Sequence, residues 1–199
     1  MEAGKIIAGL VPFVLFGFLA QGMGVFWAGV TSAAVAVVVA LLDLRGGLKI
    51  LPVAGVVILG LLALAGLVTG PDAQGFLAVH ARGAATALLG LYVLATSAFA
   101  PFTAQFARTH VPREKWHSPS FLSINRKLSA VWGAAILFIG LCNLVASSLQ
   151  AADLEVHPIV LVLIDWGLPI AAIILTVRYT KTAVGKRAEA ESPSPETAG

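Results

Sequence analysis

The sequence is poor in charge. Only 12% of its 199 residues are Asp, Glu, Lys or Arg, while 58% are apolar. Soluble domains carry about 25% charge, so this chain has too little polar surface to cover itself in water and needs lipid instead. Cysteine is almost missing. Cys142 is the single one, which excludes an intrachain disulfide framework and a cysteine-built metal site. In its apolar setting it reads as a small core residue. The usual catalytic signatures are missing too. The sequence shows no P-loop, Rossmann glycine pattern, HExxH, Ser-His-Asp set or paired carboxylates. Their absence does not exclude a membrane enzyme, since a site can be assembled across helices.

What is present is a series of long apolar runs. They lack the two-residue alternation of a membrane barrel, and a backbone in lipid must satisfy its own polar groups, so helices are the remaining solution. The expected fold is all-α: a polytopic membrane protein with six transmembrane helices. The spans fall at about 6–20, 25–42, 50–69, 81–100, 128–149 and 158–177, forming one domain over 1–182. Residues 6–42 carry no charge. As one helix they would run about 55 Å, nearly twice the hydrocarbon thickness, so a break is expected at Gln21-Gly22-Met23-Gly24. Whether the two halves cross fully or form a re-entrant hairpin is open. The N-terminal stretch has the outline of a signal peptide, but the length of the uncharged run favours spans.

Basic residues cluster at one set of span ends. With the N-terminus inside, Lys5, Arg45, Lys49, Arg108, Arg113, Lys115, Arg126, Lys127, Arg178, Lys181, Lys186 and Arg187 are cytoplasmic, and Arg82 alone lies on the other side. The positive-inside rule then places both termini in the cytoplasm. The net charge of +3 is spread over several juxtamembrane sites. This suits anionic lipid headgroups and not nucleic acid. The segment 101–127 mixes Phe102, Phe106, Trp116 and Phe121 with Arg108, Arg113, Lys115, Arg126 and Lys127. It is expected to lie along the cytoplasmic interface, either as an anchored connector or as a docking surface for a partner or anionic lipid. Residues 183–199 are small, polar and Pro-rich and are expected to be a disordered tail.

Asp165 is the one acid well inside a span, and Arg82 is the one cation on its side. An unpaired charge there costs about 2.5–3.5 kcal/mol, so the two are expected to pair. Pro169 lacks the N–H that would bond the carbonyl of residue 165, which predicts a kink with that carbonyl freed. The pair reads either as a lock between helices or as part of a proton or ion pathway. Asn143 and Gln21 are candidate polar contacts between helices, and Gly29/Ala33 and Gly83/Ala87 are spaced for close packing. His80 and His157 lie near outer span ends, where two facing imidazoles would hold a haem. That is the redox alternative, and otherwise no metal or cofactor is expected. His110 and His117 lie in the cytoplasmic segment.

The fifth span opens with Arg126-Lys127-Leu128, followed by Trp132-Gly133, Gly140 eight residues after the Trp, and Asn143 eleven after it. With PFVLF at 12–16, and a last span running into Arg178, Tyr179 and Lys181, this pattern resembles the intracellular septation protein A family of bacterial inner-membrane proteins. It departs from that family at Ser129, where an Asn would be expected, in a longer 101–127 segment, and in the extra tail. The resemblance implies a non-enzymatic scaffold of the bacterial inner membrane, acting in envelope biogenesis or cell division through contacts with other membrane or division proteins. A small transporter or channel using Asp165 and Arg82 is the alternative.

Overall fold

The computed structural model describes residues 3–42, 49–108, 111–152 and 154–190. In chain order these form α1 (Ala3–Leu42), α2 (Ile50–Val68), α3 (Pro71–Ser97), the short α4 (Phe102–Ala107), a 3-10 turn (Arg113–Lys115) and α5 (Pro119–Ala151). A continuous helical run then comprises α6 (Pro158–Val162), a π turn (Leu163–Gly167) and α7 (Leu168–Ala190). There is no strand among the described residues. Among the described residues, five segments are long and apolar enough to cross a membrane: Ala8–Leu42, Ile50–Val68, Ala73–Ser97, Pro119–Ala151 and Pro158–Gly185. The chain is an all-α polytopic membrane protein.

Three helices extend beyond the ranges expected from apolarity. α3 and α5 each begin about ten residues earlier, at Pro71 and Pro119. A proline in the first helical turn loses no hydrogen bond, because the N–H it lacks would have been unsatisfied. Ser118 caps α5, its Oγ accepting from the Phe121 amide at 3.2 Å. At the other end α7 continues through 183–190, a stretch expected to be disordered. Lys186, Arg187, Ala188, Glu189 and Ala190 are good helix formers, which carries the helix past the membrane. The rest of that tail, 191–199, lies outside the described residues.

α1 is folded back on itself. Gly24 has φ 77° and ψ 161°, a region essentially closed to residues with a Cβ. The neighbours show the reversal. Before Gly24, Gly9 faces Leu51 and Phe13 faces Gly55, so the first limb runs parallel to α2. After it, Phe26 meets Gly66, Gly29 meets Ala63 and Ala36 meets Gly55, so the second limb runs antiparallel. Each limb is about 30 Å long, close to the hydrocarbon thickness. Gly24→Ala is expected to lower stability by about 1–3 kcal/mol through backbone strain alone, since a methyl there meets nothing within 4 Å. Gly22→Ala, with equally open space and an ordinary helical backbone, should be neutral or slightly stabilising. Paired thermal melts in detergent check the contrast.

The most extensive contact is α3 against α5. It is an antiparallel seam in which a glycine from alternate helices comes up at each step. Gly83 faces Leu144, Gly140 faces Ala87, Gly90 faces Leu137 and Gly133 faces Leu94. Both glycine pairs are seven residues apart, which brings them back to nearly the same helix face. Lipid offers no hydrophobic drive for helices to associate, so close backbone approach and dispersion must hold them. The second limb of α1 and α2 use the same device: a methyl on Gly29 would lie 2.8 Å from the Ala63 Cβ.

α4 corrects the expectation for 101–127. Phe102, Thr103, Ala104 and Phe106 are buried, so this part closes the predicted cytoplasmic end of the bundle and does not lie along the interface. Thr103 Oγ1 donates to the Asn125 carbonyl at 2.8 Å, and its amide donates to Ser129 Oγ at 3.2 Å. Gln105 Oε1 accepts from the Ile50 amide at 2.9 Å, satisfying one of the donors left free at the start of α2. Lys49 sits over the Phe106 ring at 4.7 Å. The polar groups carried inward with these aromatics are thus hydrogen-bonded. The stretch around Arg113–Lys115 stays on the surface, as do Arg108, His117, Arg126 and Lys127.

Candidate functional site

Pro169 shapes the site. Without an N–H to offer the Asp165 carbonyl it cannot continue a regular helix, and the chain widens into the π turn, where the Leu168 amide reaches the carbonyl of Leu163. The freed Asp165 carbonyl is taken up by α5: Asn143 Nδ2 donates to it at 3.2 Å and to Asp165 Oδ1 at 3.0 Å. Asn143 thus bridges helices, and its partner is the backbone group that the proline releases.

Arg82 of α3 completes the cluster, its Nη2 donating to Asp165 Oδ1 in a salt bridge. Two features hold the arginine there. Its stem lies across Gly17, where a methyl would come within 2.6 Å of Cδ. Its guanidinium lies 5.7 Å from the centre of the Trp166 ring. The acid is 15% exposed and the arginine 27%, so neither is sealed off.

What they face is a cavity of about 230 Å³ between the first limb of α1, α3, α5 and α7. Phe13 and Phe18 line it from α1, Leu89 from α3, Trp132 and Ile139 from α5, and Ile170 from α7. The walls are apolar apart from the polar cluster at one end. α1 and α7 share no packed interface among the described residues. Phe18, Trp166 and Ile170 are exposed at the rim, so the cavity opens sideways between those helices.

The motif around Trp132 divides between the two faces of α5. Gly133 and Gly140 form the seam with α3. Trp132 and Asn143, eleven residues apart and so again on one face, meet the last helix: Trp132 Nε1 donates to Thr180 Oγ1 at 3.2 Å, and Asn143 holds Asp165. Ser129, on the α4 side, accepts from Thr103.

The other expected residues lie elsewhere. Gln21 is exposed at the reversal of α1 and does not sit between helices, because a turn tip offers its amide solvent or headgroups. Both ring nitrogens of His80 are engaged, Nδ1 with the Phe76 carbonyl at 2.9 Å and Nε2 with Ser148 Oγ at 3.2 Å. His157 Nδ1 caps α6 by accepting from the Ile159 amide at 3.3 Å. As placed, His80 leaves no ring nitrogen for a haem iron. Among the described residues, no three or more His, Cys, Asp or Glu side chains gather to hold a metal. In the surface segment the Arg108 and Arg113 guanidiniums lie 5.3 and 5.7 Å from the Trp116 ring, whose Nε1 donates to the Val111 carbonyl at 2.8 Å. Lys115, Arg126 and Lys127 are exposed nearby, as is His117. His110 lies outside the described residues.

Sequence reasoning missed the aromatic wall of Phe13, Phe18 and Trp166 and the role of Gly17. The signal was present: Leu10, Phe13, Val14, Gly17 and Phe18 recur at helical spacing along one face of the first limb. Compared with protein-family models, with curated proteins and with solved structures, the chain matches none.

Proposed function

We propose that this chain is a non-catalytic binding protein of the bacterial inner membrane, whose working centre is the lateral cavity headed by Arg82, Asp165 and Asn143. In this reading both termini are cytoplasmic and each limb of α1 crosses the bilayer, which is supported by the segregation of twelve of the thirteen basic residues to one set of helix ends. The observation that carries it is an intramembrane ion pair left facing an open apolar cavity. Two charges that only locked helices would need no cavity of this extent beside them, whereas here it runs on from the cluster along α5 and α7.

Native mass spectrometry of the full chain, extracted from its membranes in mild detergent, tests this. The wild type is expected to retain a small amphipathic molecule that Ile170→Trp, at the lipid-facing rim, releases. A chain that carries nothing, and takes up nothing from added membrane lipid extract, overturns it. Transport by the same residues makes a different forecast, namely flux in proteoliposomes that Asp165→Asn abolishes. α4 favours binding over a channel, since it fills the predicted cytoplasmic end of the bundle with buried Phe102 and Phe106.

A second reading rests on the surface segment. Arg108 and Arg113 bracket Trp116 beside the exposed Arg126 and Lys127. This basic, aromatic face suits anionic headgroups or the acidic surface of a division or envelope protein, the kind of partner the septation-family resemblance implies. Site-specific photocrosslinking from Trp116 in cells, with capture of a defined partner that is lost on Arg113→Glu, is the expected result.

A further inference from the structure

The chemistry of the cavity narrows what it holds, if the binding function proposed above is accepted. The lining runs along α5 from Asn143 to Trp132, three turns or about 16 Å. A volume of about 230 Å³ drawn out over that length is a slot. Ordinary small-molecule pockets hold about 300–1,000 Å³. The slot therefore suits one chain, and a second would be left outside it in the lipid. Its polar end lies seven residues from the start of α6, about 10 Å from the predicted outer end of that helix, and its apolar end points to the membrane interior. The occupant accordingly enters sideways between α1 and α7, tail inward.

The head is set by charge. Arg82 and Asp165 sum to zero, and the guanidinium has five N–H donors of which Nη2 is given to Asp165. Asn143 gives its Nδ2 to the carbonyl and Oδ1 of Asp165. The cluster therefore presents spare donors from Arg82 and a carboxylate acceptor side by side. A hydroxyl or ester group, which both accepts and donates or only accepts, meets these without adding charge. An anionic head would have to sit beside Asp165 in a medium that screens poorly, and a cationic head beside Arg82. We infer that the cavity binds a neutral single-chain amphiphile with a hydroxyl or carbonyl head, such as a long-chain alcohol or a monoacylglycerol, and selects against fatty-acid anions of the same length.

The test uses the full chain in liposomes of neutral phosphatidylcholine with two diazirine photoprobes of equal chain length, one a fatty alcohol and one a fatty acid at a pH where it is ionised. Crosslinks are mapped by peptide mass spectrometry. The alcohol is expected to label Phe18, Ile139 or Ile170 at least about tenfold more than the acid, a discrimination of about 1.4 kcal/mol, and excess monoacylglycerol should compete. Asp165→Asn makes the cluster positive and should turn the preference towards the acid. Ile170→Trp, on the exposed rim where folding is not at stake, should reduce labelling by the alcohol. Equal or greater labelling by the acid in the wild type overturns the neutral-head inference while leaving a binding cavity in place. Failure of both probes to label the cavity, with Ile170→Trp changing nothing, overturns the occupant and the binding function together.

Discussion

Alanine at Gly90 or at Gly140 is expected to cost about 3 kcal/mol, at the upper end of what overpacking does to a close-packed interior. At Gly90 the added methyl would overlap the amide nitrogen and Cα of Leu137, and at Gly140 those of Ala87. These are backbone atoms of the facing helix. No rotamer change relieves the clash, so α3 and α5 must separate along the seam. Separation also moves Arg82, which immediately precedes Gly83 on α3, away from Asn143 and Asp165. The double variant should cost clearly less than the sum of the singles, because helices already forced apart admit the second methyl freely. Unfolding titrations in mixed micelles give the energies. Gly60→Ala on α2, where a methyl meets nothing within 4 Å, is the control and should be near neutral. Equal behaviour of Gly90→Ala and Gly60→Ala would show that the seam is looser than drawn.

The helices could be read from the sequence because lipid imposes a simple rule on them. An uncharged run of a given length has few alternatives in hydrocarbon, and Gly24 lies within the break that the length of 6–42 demands. Arg82 and Asp165 stand out by scarcity, the one cation away from the crowded basic ends and the one acid well inside a span, and the structure sets them side by side. Asn143 could be recognised as a polar residue needing a partner, but not as the one that takes up the carbonyl left by Pro169, because that depends on which face of α5 meets α7. The glycine seam was hidden for the opposite reason. With 20 glycines in the chain, a seven-residue spacing arises easily by chance, and only the facing helix shows which pairs matter. α4 was misplaced because phenylalanine and threonine suit an interface and a core equally well. The deciding facts were tertiary: an Asn125 carbonyl and a Ser129 hydroxyl within reach of Thr103.

Removing one member of the ion pair is expected to be more damaging than removing both. Asp165→Ala leaves Arg82 as an unpaired charge among Phe13, Phe18, Leu89 and Trp166, and strips Asn143 of its side-chain acceptor. The cost should approach the insertion penalty for a lone charge, about 2.5–3.5 kcal/mol. Part of it is offset because Arg82 is 27% exposed and its long stem can carry the guanidinium towards the outer interface. Arg82→Ala strands the carboxylate instead. Its side chain is shorter and fixed by the π turn, though Asn143 still donates to it at 3.0 Å, so a similar or slightly larger loss is expected. The double variant removes both charges and leaves apolar side chains facing an apolar cavity. It should recover at least half of the worse single loss, as buried pairs replaced by apolar groups commonly do. The exchanged pair, Arg82→Asp with Asp165→Arg, should recover less, because Asn143 Nδ2 would then point a donor at a cation and the Asp165 carbonyl would be its only acceptor. A double-mutant cycle of unfolding energies in detergent decides the matter. A coupling energy near zero would mean that the two charges, though in contact, are each solvated from the cavity, and that the last helix is held through α5, by Trp132 and Thr180, and not through α3.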